Sequence, residues 1–233
     1  MPYELPSAEK PAPRSGLAWV ACGGSLLAGT AGYVNVVMLG FFAVPVSHMT
    51  GAVSRMSIDM GTAEGLDFLL ISSILAGFVI GAIASGVIIG NATLKPGRRY
   101  GVALLLEGVL LGLATVFAIQ EMIVAIPLAA TALGLQNAMA SSYRGLVLRT
   151  THVTGIVTDI GVLIGHRLRG RYVKTWKVSL LIAILIAFFV GGVLGMLALK
   201  WLGLAALGIA AAGCLVAGSF YLLAQRLRGQ QAK

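Results

Sequence analysis

The sequence predicts an all-α membrane protein with six transmembrane helices plus two re-entrant half-helices, arranged as a 3+3 inverted repeat. Three observations lead there. Hydrophobic residues make up 58% of the 233 and charged ones only 11%, and several apolar runs reach the roughly 18–20 residues that cross a hydrocarbon core. A short polar segment occurs twice within this background, as SHMTGAVSRMSIDMG at 47–61 and THVTGIVTDIGVLIG at 151–165. Basic residues gather in short clusters at the ends of apolar runs, as they do in cytoplasmic loops of membrane proteins. A barrel is excluded because its strands would alternate with period two, which these runs do not.

Taken in order, residues 1–15 are rich in Pro and charge and read as a solvated tail, with no signal-peptide arrangement of basic, apolar and cleavage regions. The first span covers 17–42. Pro45 then disfavours helix continuation and biases Val44 toward extended geometry, so 42–46 reads as an extended entry. The polar segment 47–61 follows. As a helix, its 15 residues would rise only about 22 Å, enough for half a bilayer and its interface. Spans at 67–91 and 99–119 complete the first half, and the polar dipeptide 120–121 separates it from the second. There the pattern repeats: a span at 122–143, an extended entry at 145–149, the half-helix 151–165, then spans at 176–199 and 202–225. Residues 229–233 form a short tail. Three spans per half force the second copy upside down, so 17–119 and 122–225 are inverted repeats within one membrane domain, 16–228.

Charge distribution selects this arrangement over eight full spans. Eight spans would put the basic 95–99 loop outside and the acidic 64–67 loop inside, against the positive-inside rule. With both polar segments re-entrant, every Lys and Arg except Arg55, Arg149 and Lys200 falls on the inner face. Both termini are then cytoplasmic, Glu64, Asp67 and Glu121 lie outside, and Trp19, Trp176 and Trp201 sit at span ends. The net charge of +9 therefore reports topology rather than nucleic-acid binding. Cys22 and Cys214 fall within spans and indicate neither a disulfide framework nor a thiol site.

The repeat carries the candidate site. A shift of 104 positions lays His48 on His152, Thr50 on Thr154 and Gly51 on Gly155, and pairs Ser47 with Thr151. Ser47, Thr50, Ser54 and Ser57, and likewise Thr151, Thr154 and Thr158, follow 3- and 4-residue spacings that stack hydroxyls on one helix face. Helix glue and back-bonding to carbonyls are the plain alternative for such hydroxyls. Ser47/Thr50 and Thr151/Thr154 stand where helix N-caps are expected. Half-helices starting near mid-depth would bring their N-termini together as a site for an anion or an electron-rich polar group. Gly51 and Gly155 would allow close approach to the backbone. Asn35 and Asn137 precede the two half-helices and are suited to bridge to their backbone or to contact a solute. Arg55, Asp159 and Glu107, with Asp59 and Arg149 as further candidates, are charged at membrane depth, where such residues serve pairing, coupling or gating. Arg55 and Asp159 occupy equivalent positions with opposite charge, suited either to pair across the pseudo-two-fold axis or to stay separately solvated in a cavity. Glu107 is a candidate proton acceptor in coupling or a partner for Arg55 or a His. Two histidines without Cys or paired carboxylates do not make a metal site, and no cofactor is expected. The glycine spacings 77/81, 86/90 and 191/195 permit close helix packing.

The segments VSHMTG ending at Gly51, GLQNA at 134–138 and TTHVTG ending at Gly155 together resemble the YoaK family of uncharacterised bacterial membrane proteins, over residues 16–228. This chain departs from that pattern at Ala52, where Asn is frequent, and near Asn35, where an acidic residue is common. The resemblance implies a multi-span protein of the bacterial inner membrane and no particular activity. Extended entries leading into opposed half-helices also look like the core of nucleobase and sulfate permeases, at the level of fold alone. The expected function is a small secondary transporter or channel for a small polar or anionic solute, with the bilayer and that solute as partners and a homo-oligomer compatible. The alternative is a non-transporting sensor, scaffold or partner subunit. No nucleophile paired with a base, HExxH or GxSxG occurs, so an enzyme is not expected.

Overall fold

The structure, a computed structural model, describes residues 14–62, 65–90, 97–141 and 149–231. These form α1 (Arg14–Phe42), α2 (Met49–Thr62), α3 (Gly65–Ile89), α4 (Arg98–Ile119), α5 (Ala125–Ser141), α6 (Val153–Leu168), α7 (Thr175–Leu202) and α8 (Leu207–Gln231). A 3-10 turn at Gly203–Ala206 separates the last two. There is no strand among the described residues. Among the described residues, four stretches are long and apolar enough to cross a membrane: Val20–Phe42, Asp67–Ile89, Arg98–Ile119 and Thr175–Leu227. The last holds both α7 and α8. Gly203, with φ +56°, breaks it by a backbone conformation that side chains with a Cβ rarely adopt.

The elements agree with the sequence reading within a few residues, with corrections at the ends. Arg14 and Ser15 already belong to α1, and 229–231 still belong to α8, because apolar helices extend through their polar flanks once nucleated. The remainder of both tails, 1–13 and 232–233, lies outside the described residues, as do Glu64, Lys95 and the extended entry at 145–148. Its counterpart at 43–48 is non-helical, and Ala43 takes a left-handed φ of +56° immediately after α1.

Three helix pairs form the body: α1 with α7, α3 with α5, and α4 with α8. Glycine makes the first two close. A Cβ at Gly32 would collide with the Phe188 carbonyl and one at Gly191 with the Gly29 carbonyl, while Gly40 faces Met196 and Leu199 further along. Contacts on both helices advance together, so α1 and α7 run parallel. On α3, Gly77 faces Pro127 and Thr131, and Gly81 faces Thr131 and Leu135, so α3 and α5 are parallel too. The two grooves use equivalent residues. Shifting by 102 positions takes Gly29 and Gly32 to Thr131 and Gly134, and shifting by 110 takes Phe78 and Gly81 to Phe188 and Gly191. Gly101 faces Leu222 and Gly108 faces Leu215, so α4 and α8 are antiparallel. The 86/90 spacing is a correction: Gly86 has open space around it, and Gly90, with φ +61°, ends α3 instead of packing.

Burial orders the ends of the bundle. One core cluster joins the C-terminal parts of α1 and α4 (Met38, Leu111, Ala114) to the N-terminal parts of α3, α5 and α8 (Ile74, Ile126, Leu207), with Leu199 of α7 against it. A second joins Ile89 and Met139, late in α3 and α5, to Tyr100 and Ala103, early in α4. Arg98, Arg99, Lys174, Lys177 and Arg226 therefore share one end, while Asp67 and Glu121 lie at the other. The short helices pack outside the pairs. Through Ala52, α2 joins the cluster containing Val46 and Ile71, and through Ile156, α6 joins Leu180 and Ile184. Because α2 leads into α3 at the acidic end and α6 into α7 at the basic end, the two run in opposite senses.

Candidate functional site

Each short helix begins in the same way. The Asn35 side chain on α1 accepts hydrogen bonds from the Ser47 backbone N–H (3.2 Å) and hydroxyl (2.9 Å). Asn137 on α5 accepts from the Thr151 backbone N–H at 3.5 Å. A span that ends in a break exposes backbone groups that water would otherwise satisfy, and an amide oxygen one helix away serves them instead. Bridging is therefore what the asparagines do here, the plainer of the two roles expected of them.

The cap residues differ from expectation. The carbonyls of His48 and His152 accept the first intrahelical bonds, from Ala52 (3.0 Å) and Ile156 (3.1 Å), so the histidines are the N-caps rather than the hydroxyl residues. Each imidazole folds over its own first turn. A Cβ on Gly51 would lie 2.7 Å from Nδ1 of His48, and one on Gly155 would collide with the His152 ring. The paired glycines thus leave room for the ring three residues earlier, a local reason that a His-x-Thr-Gly repeat contains without a ligand.

Along the stripe, Ser47 is buried, Thr151 is half-buried, and Thr50, Thr154 and both His rings are exposed. Ser57 donates to the Val53 carbonyl (3.0 Å) and Thr158 to the Thr154 carbonyl (2.9 Å), the back-bonding alternative. The helices do not meet: no Cα of α2 comes within 8 Å of one in α6. The site residues therefore form two equivalent half-sites instead of one joined pocket. Two surface cavities are formed elsewhere. One, of about 550 Å³, is lined by Arg167, Arg171 and Thr175. Another, of about 250 Å³, is lined by Phe41, Glu121 and Leu202.

The charged residues pair differently from the sequence reading. Arg55 does not reach Asp159. It donates to Asp59 (2.8 Å), one turn along α2, and to Asp67 (2.9 Å) on α3. The i,i+4 spacing gives Asp59 a short path that a cross-axis partner lacks. Asp159 is exposed. Glu107 is fully buried on α4, its two carboxyl oxygens without hydrogen-bond partners, next to Cys214 of α8 and away from Arg55. Sequence reading missed Gln136, and placed Asp59 at membrane depth without pairing it to Arg55. Gln136 is fully buried and donates to the Leu27 carbonyl (3.0 Å), leaving its own carbonyl oxygen unpartnered. Asp59 is buried with one oxygen on Arg55 and the other unpartnered. Its spacing from Arg55 was the available signal; nothing in the sequence marked Gln136 as buried.

Against known proteins, the chain belongs to the DUF1275 family, described as "Protein of unknown function (DUF1275)", whose profile matches residues 23–220. YoaK is a member of that family, so the resemblance carried by the three polar segments holds. No curated protein and no solved structure matches.

Proposed function

We propose that this DUF1275 chain is a small transporter or channel of the bacterial inner membrane, moving a small polar solute, anions foremost. Six helices span the bilayer with both termini cytoplasmic. The short helices α2 and α6 enter from opposite faces as the re-entrant members of a 3+3 inverted repeat. At 14 and 16 residues they rise about 21 and 24 Å, too short to cross comfortably. One observation carries the reading: the same construction occurs twice in opposite sense, an asparagine holding the entry (Asn35 to Ser47, Asn137 to Thr151) and a histidine capping the half-helix. Paired half-helices with free N-terminal N–H groups are a recurrent way to bind solutes at mid-membrane. His48 and Thr50 would contact the solute at one half-site, and His152 and Thr154 at the other. Arg55 with Asp59 and Asp67 would tie α2 to α3, and the buried Glu107 would serve coupling.

The test is flux. Purified protein in liposomes should pass at least one solute from a panel of anions and polar metabolites, and the His48→Ala/His152→Ala variant should pass it at least tenfold more slowly. Absence of flux across the panel, together with no solute-dependent rise in thermal stability, would sink the proposal. A second reading, a non-transporting sensor or partner subunit, is favoured by the apolar residues exposed on the short helices. Val53, Ile58 and Met60 on α2 and Val157, Val162 and Ile164 on α6 are about half or more exposed. A stable complex with another membrane protein that covers them, in the absence of flux, would select it.

A further inference from the structure

The helix α6 ends in a tight turn that leads into α7. The Arg171 N–H reaches the His166 carbonyl (3.0 Å) and the Gly170 N–H reaches the Arg167 carbonyl (3.0 Å), with Gly170 in the left-handed region at φ +71°. This is the glycine-terminated helix end in which the chain reverses sharply. Its effect is to bring both Arg167 and Arg171 into the lining of a surface cleft of about 550 Å³ that also includes Tyr172, Val173 and Thr175. The cleft lies at the basic end of the bundle.

Its charge has no internal answer. Arg167, Arg169, Arg171, Lys174 and Lys177 fall within eleven residues, and no Asp or Glu follows Asp159 anywhere in the chain. Neither Arg167 nor Arg171 has an acidic partner among the described residues, and both are exposed. Beside them stand side chains suited to the boundary between headgroups and acyl chains. Leu168 is 84% and Tyr172 90% exposed, and Trp176 is half-buried with the Lys177 ammonium 5.7 Å from its ring centroid. Exposed apolar and aromatic groups around a cationic cleft match an amphiphile, whose charged head and apolar tails need different neighbours.

We infer that the cleft between the end of α6 and the start of α7 binds the phosphate headgroup of an anionic phospholipid of the inner leaflet. The two guanidiniums take the phosphate oxygens in their fork geometry, while Leu168 and Tyr172 lie along the acyl chains. The bound lipid then tethers the half-helix α6 to the bilayer surface next to its connection with α7. This is independent of what, if anything, passes through the protein.

The experiment uses the full chain in detergent, with phosphatidylglycerol, phosphatidylcholine or inorganic phosphate added, and reads retained lipid by native mass spectrometry together with the unfolding temperature. Phosphatidylglycerol should be retained and raise the unfolding temperature; phosphatidylcholine and inorganic phosphate should do neither. Arg167→Gln and Arg171→Gln should each weaken retention about fivefold, the size expected of one basic side chain at an anionic surface. Arg226→Gln, at the same end but outside the cleft, should leave retention unchanged. Because all three side chains are exposed, unchanged unfolding temperatures in phosphatidylcholine will show that the variants fold. Equal losses in all three variants would reduce the effect to general surface charge and overturn the inference. So would stabilisation by inorganic phosphate alone, or equal retention of both lipids.

Discussion

At the scale of single residues, Asn35 and the groove glycines make the sharpest predictions. Removing the Asn35 amide leaves the Ser47 N–H and hydroxyl without their acceptor, so Asn35→Ala should cost about 1–3 kcal/mol, read as a lowered thermal midpoint in detergent. Ser47→Ala loses only the hydroxyl bond and should cost less; equal losses would mean that the backbone bond contributes nothing. The glycines divide by what faces them. Gly81→Ala and Gly191→Ala drive a Cβ into backbone carbonyls of the neighbouring helix and should each cost about 1–3 kcal/mol or more. Gly86→Ala meets open space and should be neutral or stabilising, since alanine favours helix by up to about 1 kcal/mol over glycine. Similar losses at all three positions would contradict the two grooves described for α1/α7 and α3/α5.

Among the elements, α2 is held by charge as well as by Ala52. Arg55 spans from Asp59 within α2 to Asp67 on α3. Arg55→Ala strands a buried carboxylate, whereas Asp159→Asn on the equivalent turn of α6 removes an exposed one and should change stability little. Arg55 is itself half-exposed, so solvent screening keeps the expected loss below that of a fully buried pair. Adding Asp59→Asn to Arg55→Ala should recover part of it; no recovery would mean that contacts of Arg55 other than Asp59 carry the effect. The helices were legible in the sequence because an apolar run of more than twenty residues has few alternatives. The repeat was legible because His, Thr and Gly recur at one spacing. What the repeat could not say was why. Gly51 reads equally well as room for a ligand or room for His48, and only the ring's position separates the two. The partner of Arg55 was likewise hidden by the symmetry of the repeat, which matched it with Asp159 when a nearer aspartate lay one turn away.

For the whole molecule, the arrangement of ends makes an orientation test. In a Cys22→Ser background, Gly61→Cys, at the end of α2 near the acidic loop, should react with an impermeant maleimide from outside intact cells. Arg226→Cys, at the basic end, should react only after the cells are opened. Labelling of both positions from outside would contradict six spans with cytoplasmic termini. Charge clustering at one end of the bundle was readable from sequence alone; which helices pair was not, because glycine spacing states that a groove exists without naming what fills it.

Pairing α1 with α7, and α3 with α5, also sets a timetable for synthesis. The glycine face of α1 leaves the ribosome long before the helix that fills it. At about 5–20 residues per second, the interval before α7 begins to emerge is roughly 7–27 s. During that time α1 sits in the bilayer with its carbonyl-lined groove open to lipid or to any other nascent helix. A chaperone or insertase that shields this face should raise the yield of folded protein more than one acting on α8, whose partner α4 is already in place when it appears.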